Sequence, residues 1–177
     1  MRIKLVAACL LYLSSLPAQA EIFVDFGLTS TKTESIFADR DDSVTSTDTG
    51  VHLGIGARRS IDERNDIGVR LELDEADSNL FLAVRALDYR HHFSDRIALN
   101  LFVGAARLDL ATPAYGWYLG AGVDLKEILP RFDLNVDLHY GDKVARDNLL
   151  PSDPQSPVTP DNFHDVTGLS IYLSRRF

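Results

Sequence analysis

The sequence predicts an all-β fold, an eight-stranded antiparallel up-and-down transmembrane β-barrel, and three observations carry that prediction. The chain closes on a two-faced strand whose last residue is the aromatic Phe177; eight segments of the same kind follow one another along it; and the links between them alternate between tight and long. Period-2 alternation sends successive side chains to opposite faces of a sheet. A barrel of this class needs one face oily and the other polar along every strand.

The N-terminus carries the first element. Met1-Arg2-Ile3-Lys4 is basic, an apolar run follows as far as Leu16, and Ala18-Gln19-Ala20 supplies small residues at a cleavage site, the pattern of a secretory signal peptide cut after Ala20. A spanning helix needs about 20 apolar residues, and this run is shorter and interrupted by Ser14 and Ser15. Val6-Ala7-Ala8-Cys9 has the look of a lipoprotein signal but leaves almost no hydrophobic region ahead of the cut. The expected mature domain is 21–177, 157 residues. Cys9, the single cysteine, leaves with the signal, so no disulfide or thiolate metal site is available. Arg2 and Lys4 leave too, so 16 Lys and Arg face 26 Asp and Glu, a net −10 that argues against nucleic acid and other polyanions.

Alternation and turn residues predict strands over 22–30, 48–59, 65–75, 79–92, 97–109, 115–126, 131–142 and 164–177. The first sets Ile22, Val24, Phe26 and Leu28 against Phe23, Asp25 and Gly27, and the second Val51, Leu53 and Ile55 against His52, Gly54, Gly56 and Arg58. The third sets Leu71 and Leu73 against Arg70, Glu72 and Asp74. The fourth and fifth keep their faces only if the phase slips near Ala86-Leu87 and near Ala105-Ala106, each slip the mark of a β-bulge. The sixth sets Trp117, Leu119 and Val123 against Tyr118, Gly120, Gly122 and Asp124; the seventh sets Phe132, Leu134, Val136, Leu138 and Tyr140 against Asp133, Asn135, Asp137 and His139. The eighth presents Leu169, Ile171, Leu173 and Phe177 on its apolar face.

Links at 62–65, 92–96 and 126–130 are short and fall on the rim that also holds both chain ends. On the opposite rim 31–47 and 142–164 read as long polar loops, the second carrying Pro151, Pro154, Pro157 and Pro160, while the two links between them are short. A soluble barrel would show the same alternation. The glycines among charges on the polar face, Gly54, Gly56, Gly120 and Gly122, favour a narrow filled interior over a solvated surface.

The inward set predicts a lumen ion-pair network of Asp25, Arg58, Arg70, Glu72, Arg85, Asp88, Arg90, Asp124, Asp133, Asp137, His139 and Arg176, with His52 beside it and charge nearly balanced. An eight-stranded barrel is just wide enough for its own side chains, and unpaired buried charge costs several kcal/mol per ion, so these groups should pair and close the lumen. His91-His92, adjacent in a strand, point to opposite faces and make no metal site. Asp39-Arg40-Asp41-Asp42 lacks the Gly and Glu of a calcium loop. No cofactor or metal is expected.

Two resemblances follow. His139-Tyr140-Gly141 resembles the stretch where the lipid A 3-O-deacylase family, eight-stranded outer-membrane barrels, carries His-x-Ser, but Gly141 stands at the serine. His139 then has no hydroxyl to activate, and no catalytic residue is expected. Over 21–177 the chain resembles the small outer-membrane barrels typified by OmpX and the membrane domain of OmpA, on the signal, the eight segments and the closing Leu169-Ser170-Ile171-Tyr172-Leu173-Ser174-Arg175-Arg176-Phe177. That resemblance implies a Gram-negative outer-membrane location, insertion by the barrel-assembly machinery reading Leu169, Ile171, Leu173 and Phe177, and contact with membrane lipid and lipopolysaccharide as a monomer. The expected function is non-enzymatic, in envelope structure or surface-loop interaction; the alternatives are a lipid-modifying enzyme and a narrow solute channel.

Overall fold

A computed structural model describes residues 20–37, 43–76, 78–110, 114–147 and 162–177. The signal peptide, the acidic stretch 39–42, the link at 111–113 and the four prolines of 151–160 lie outside the described residues. Eight strands run in chain order: β1 Glu21–Phe37, β2 Ser43–Ser60, β3 Asn65–Ala76, β4 Asn79–His92, β5 Ile97–Leu108, β6 Gly116–Leu129, β7 Phe132–Asp147 and β8 Asn162–Arg176. Each pairs antiparallel with its neighbour, and β8 pairs with β1 to close the barrel. Closure leaves no open sheet edge along the wall. The last ladder is completed by the Phe177 N–H, which donates to the Ile22 carbonyl at 3.0 Å.

The outward face is an uninterrupted apolar belt. Val24, Phe26 and Leu28 on β1 are followed around the cylinder by Leu53 and Ile55, Leu71 and Leu73, Leu87, Leu101 and Val103, Leu119 and Val123, Leu138, and Leu169 and Ile171, all exposed. Charged outward side chains such as Glu75, Arg59 and Arg175 sit at strand ends, and Lys32 lies on the loop-side half of β1. Arg175 interrupts the closing pattern where an apolar residue is usual, and its guanidinium lies between the rings of Phe132 and Phe177, 5.8 and 4.9 Å from their centroids. Two aromatic faces thus take up the charge at the rim.

The phase slip in β4 is a β-bulge. Val69 faces both Ala86 and Leu87, and the register steps between Gly68 and Arg70 on β3 and between Arg85 and Leu87 on β4. One extra residue keeps Phe81, Ala83 and Arg85 on the same inner face as Asp88 and Arg90. The slip expected in β5 is absent: Ala98, Asn100, Phe102, Gly104, Ala106 and Leu108 face inward without a break. The slip in β5 followed from treating the inner face as polar throughout, whereas its loop-side third is apolar.

The long links are shorter than their polarity predicted. Residues 31–37 and 43–47 extend β1 and β2, and 142–147 and 162–164 extend β7 and β8. Thr, Ser and Val suit a pleated surface even in water, which is why these stretches stay paired. β7, β8, β1 and β2 therefore rise as a four-stranded wall beyond the shorter β3 to β6. Likewise 126–130 is mostly strand, with the turn confined to Pro130 and Arg131, the latter at φ 66°.

Candidate functional site: a side-chain-filled lumen

Space for the interior is made by pairing a glycine with a large side chain across each ladder. Phe23 lies opposite Gly56, Asp25 opposite Gly54, Phe102 opposite Gly120, Asp137 opposite Gly122 and His139 opposite Gly168. A Cβ built on Gly168 would fall on the His139 imidazole, and one on Gly120 on the Phe102 ring.

The middle of the lumen is an ionic layer. Arg70 Nη1 lies 3.4 Å from Asp25 Oδ2 and 3.7 Å from Glu72 Oε1, its Nη2 lies 3.3 Å from Asp88 Oδ2, and it donates to the Tyr172 hydroxyl. Arg85 Nη2 is 2.5 Å from Glu72 Oε1 and 2.6 Å from Asp137 Oδ2, and its guanidinium lies 3.5 Å above the Phe102 ring. Tyr172 donates to Asp137 at 2.6 Å and Tyr118 to Glu72 at 2.9 Å. Towards the turn rim Arg58 bonds Asp88 at 3.0 Å, Arg90 pairs with Asp124, and Asn100 bridges Asp124 and Asp137 at 2.8 and 2.9 Å. Asp133 lies 3.7 Å from Arg90 and 3.6 Å from Arg176. Arg176 itself stands in the mouth, reaching Glu127 at 3.1 Å. That mouth is a cavity of about 590 Å³ lined by Asp66, Arg90, His92, Lys126 and Arg176 among others.

Above the ionic layer the interior becomes apolar. Phe81, Leu108, Val144 and Val166 pack with Ala76, Ala83, Ala106 and Ala145 into one buried cluster that closes the lumen on the loop side. His139 lies beneath it, 2% exposed, stacked on Phe81 at 6.1 Å and 5.4 Å from Tyr118, with no hydrogen-bond partner on either ring nitrogen among the described residues. It makes no ion pair among the described residues and is closed off from the outer surface.

All twelve residues expected in the lumen face inward, and eleven of them carry ion pairs; His139 does not. Asp74, Tyr118, Tyr172, Asn100 and Asn135 belong to the same network and lie on the polar faces of their strands, although the expected network does not include them. Charge is not balanced as expected: among the described residues of the network seven buried carboxylates (Asp25, Glu72, Asp74, Asp88, Asp124, Asp133, Asp137) face four buried guanidiniums (Arg58, Arg70, Arg85, Arg90), with Arg176 reaching Asp133 from the mouth. His91 bonds Asn65 at 2.8 Å and His92 bonds Asp66 at 2.7 Å, so the two rings take separate partners. Leu169 and Ile171 lie in the outward belt with Leu173 partly exposed beside them, and Phe177 ends it, 66% exposed.

No protein-family model and no curated protein sequence matches this chain. Solved structures do. The attachment invasion locus protein Ail of Yersinia pestis is 11% identical with a TM-score of 0.53, over 90% of this chain and 99% of that one. The outer-membrane protein AlkL is 12% identical, TM-score 0.52, over 90% of each chain. OprG of Pseudomonas aeruginosa is 13% identical, TM-score 0.51, over 90% and 96%. The shared architecture is the closed, eight-stranded, all-antiparallel barrel of the small outer-membrane proteins.

Proposed function

We propose that this protein is a non-enzymatic barrel of the Gram-negative outer membrane, with its turn rim in the periplasm, that serves envelope structure and offers its outer wall for contact at the cell surface. One observation carries the reading: beyond its turn-side mouth the lumen is filled, by ion pairs in its middle and by an apolar cluster above them. With no passage left inside, the surfaces available to other molecules are the lipid belt and the four-stranded wall. Lipid and lipopolysaccharide are the partners of the belt, and the closing strand with Leu169, Ile171, Leu173 and Phe177 is the segment offered to the assembly machinery. The non-enzymatic reading is supported by His139, which is walled in beneath Phe81 and followed two residues later by Gly141 rather than a hydroxyl.

Ail has been crystallised with the heparin analogue sucrose octasulfate. The wall of the present chain carries Glu34, Asp48, Asp142 and Asp165 against Lys32 and Lys143, so a polyanion is not the ligand proposed here. The test takes the protein from outer-membrane fractions. Heat-modifiable gel mobility, an unchanged lipid A mass spectrum with and without the protein, and silent planar bilayers are the expected results. A lost or gained acyl chain would establish the lipid-modifying reading, and reproducible single-channel steps the channel reading.

A further inference from the structure

Even with Arg176 counted, the lumen network holds two more carboxylates than guanidiniums among the described residues. Asp74 is the carboxylate among them that no guanidinium of the described residues reaches. Its Oδ1 lies 2.5 Å from His52 Nδ1, each residue is 1% exposed, and neither Asp74 Oδ2 nor His52 Nε2 has a hydrogen-bond partner among the described residues. A neutral imidazole also donates from Nδ1, so the contact alone does not fix the charge. Burial opposes the charge, and the surrounding carboxylates favour it. His52 on β2 touches Asp74 from β3 and the Tyr172 ring from β8 at 4.5 Å and lies in the field of Glu72 from β3 and Asp25 from β1; on that same ring lies Arg70, already shared among Asp25, Glu72 and Asp88. His139 on β7 lies in the field of the same Asp74 and Glu72. A sealed interior pays heavily for an uncompensated carboxylate, and the imidazole against Asp74 is the group placed to offset that one.

We propose that the lumen contains a proton-binding site in which His52 is held as an imidazolium against Asp74. The bound proton offsets one of the two surplus carboxylates and links barrel stability to pH. The sign follows from linkage: a proton bound more tightly in the folded than in the unfolded chain contributes stability that is present at low and neutral pH and is lost as rising pH removes it. The site is independent of what the outer wall contacts.

The experiment is nitrogen-15 NMR of histidine-labelled full-length mature protein in lipid bilayers at about pH 7, where a free imidazole is mostly neutral, with the His52 signal assigned by its absence in His52→Gln. Both ring nitrogens of His52 are expected to be protonated, and Asp74→Asn is expected to convert His52 to a neutral tautomer at the same pH. The urea midpoint of the wild type should fall between about pH 7 and about pH 10, and the fall should vanish in His52→Gln. If Asp74→Asn yields no heat-modifiable band, the wild-type titration decides: loss of the His52 proton in step with the falling midpoint upholds the site. A neutral His52 signal at about pH 7, or an Asp74→Asn spectrum identical to the wild type, overturns it.

Discussion

At the scale of single residues, the interior works by complementarity of size as much as of charge. Gly168 leaves the space that the His139 ring fills, and any Cβ there collides with it. Gly168→Ala is expected to destabilise the barrel by about 1–3 kcal/mol, because an overpacked interior must displace a ring already held between Phe81 and Tyr118. His139→Ala should restore part of that loss in the double variant, since the two positions touch and their effects are not additive. Urea unfolding followed by gel mobility measures both, and additive losses would refute the pairing. Charge is tested at Arg85, the guanidinium nearest both Glu72 and Asp137, at 2.5 and 2.6 Å. Arg85→Met keeps the stem but strands two buried carboxylates, and a loss of roughly 3–5 kcal/mol is expected in the same assay. At the turn rim, Asn65 and the Arg64 N–H both donate to the exposed Asp62 carboxylate and hold it below its ordinary range. That contribution is present above the ordinary carboxyl range and disappears as pH falls through the lowered one, so Asp62→Asn should flatten the acid limb of the turn's amide-exchange profile.

At the scale of elements, the faces of the strands were legible because burial on one side and lipid on the other both select by period two. The ends and the inner apolar region were not. A threonine-rich stretch such as 43–47 carries no sign of whether a partner strand continues beside it, and Phe81 or Leu108 reads as lipid-facing wherever the lumen is taken to be polar along its whole length. The network suffered in the same way: each inward charge could be listed from alternation, but which carboxylate meets which guanidinium depends on barrel stagger, a property of all eight strands together. Two irregularities carry predictions. Removing Ala86 takes out the extra residue and leaves Arg85, Leu87 and Asp88 in regular in-out-in order, so that deletion is expected still to give a heat-modifiable folded band, whereas removing Ala86 and Leu87 together would turn either Arg85 or the Asp88 and Arg90 pair into the belt and should leave none. In β7, Lys143 sits at φ 53°, pinned by its N–H donating to Asp165 Oδ1 at 2.8 Å while Tyr140 donates to Asp165 Oδ2 at 2.6 Å. Left-handed backbone is strained for lysine, and Asp165 is what holds it there. Asp165→Ala should speed exchange of the Lys143 amide, and Lys143→Gly should leave stability unchanged or higher.

At the scale of the whole molecule, two seals of different physics stand in series along one axis. The ionic layer around Arg70 and Arg85 resists a passing ion by holding every guanidinium between carboxylates, and the cluster of Phe81, Leu108, Val144 and Val166 resists water by offering it no partner. Series arrangement means that opening one leaves the other closed. Phe81→Ala with Leu108→Ala should admit water only as far as Tyr118 and His139, and planar bilayers containing that variant are expected to remain silent. Arg85→Ser alone should also remain silent, because the apolar cluster still caps the lumen. The triple variant removes both obstacles, and ion-conducting steps are expected from it, with cations favoured because the carboxylates that lose Arg85 line the opened path. Steps from either partial variant would mean that the two layers are not independent barriers; silence from a triple variant that still runs as a folded, heat-modifiable band would mean that the remaining pairs of Arg58, Arg70 and Arg90 suffice to close the barrel by themselves.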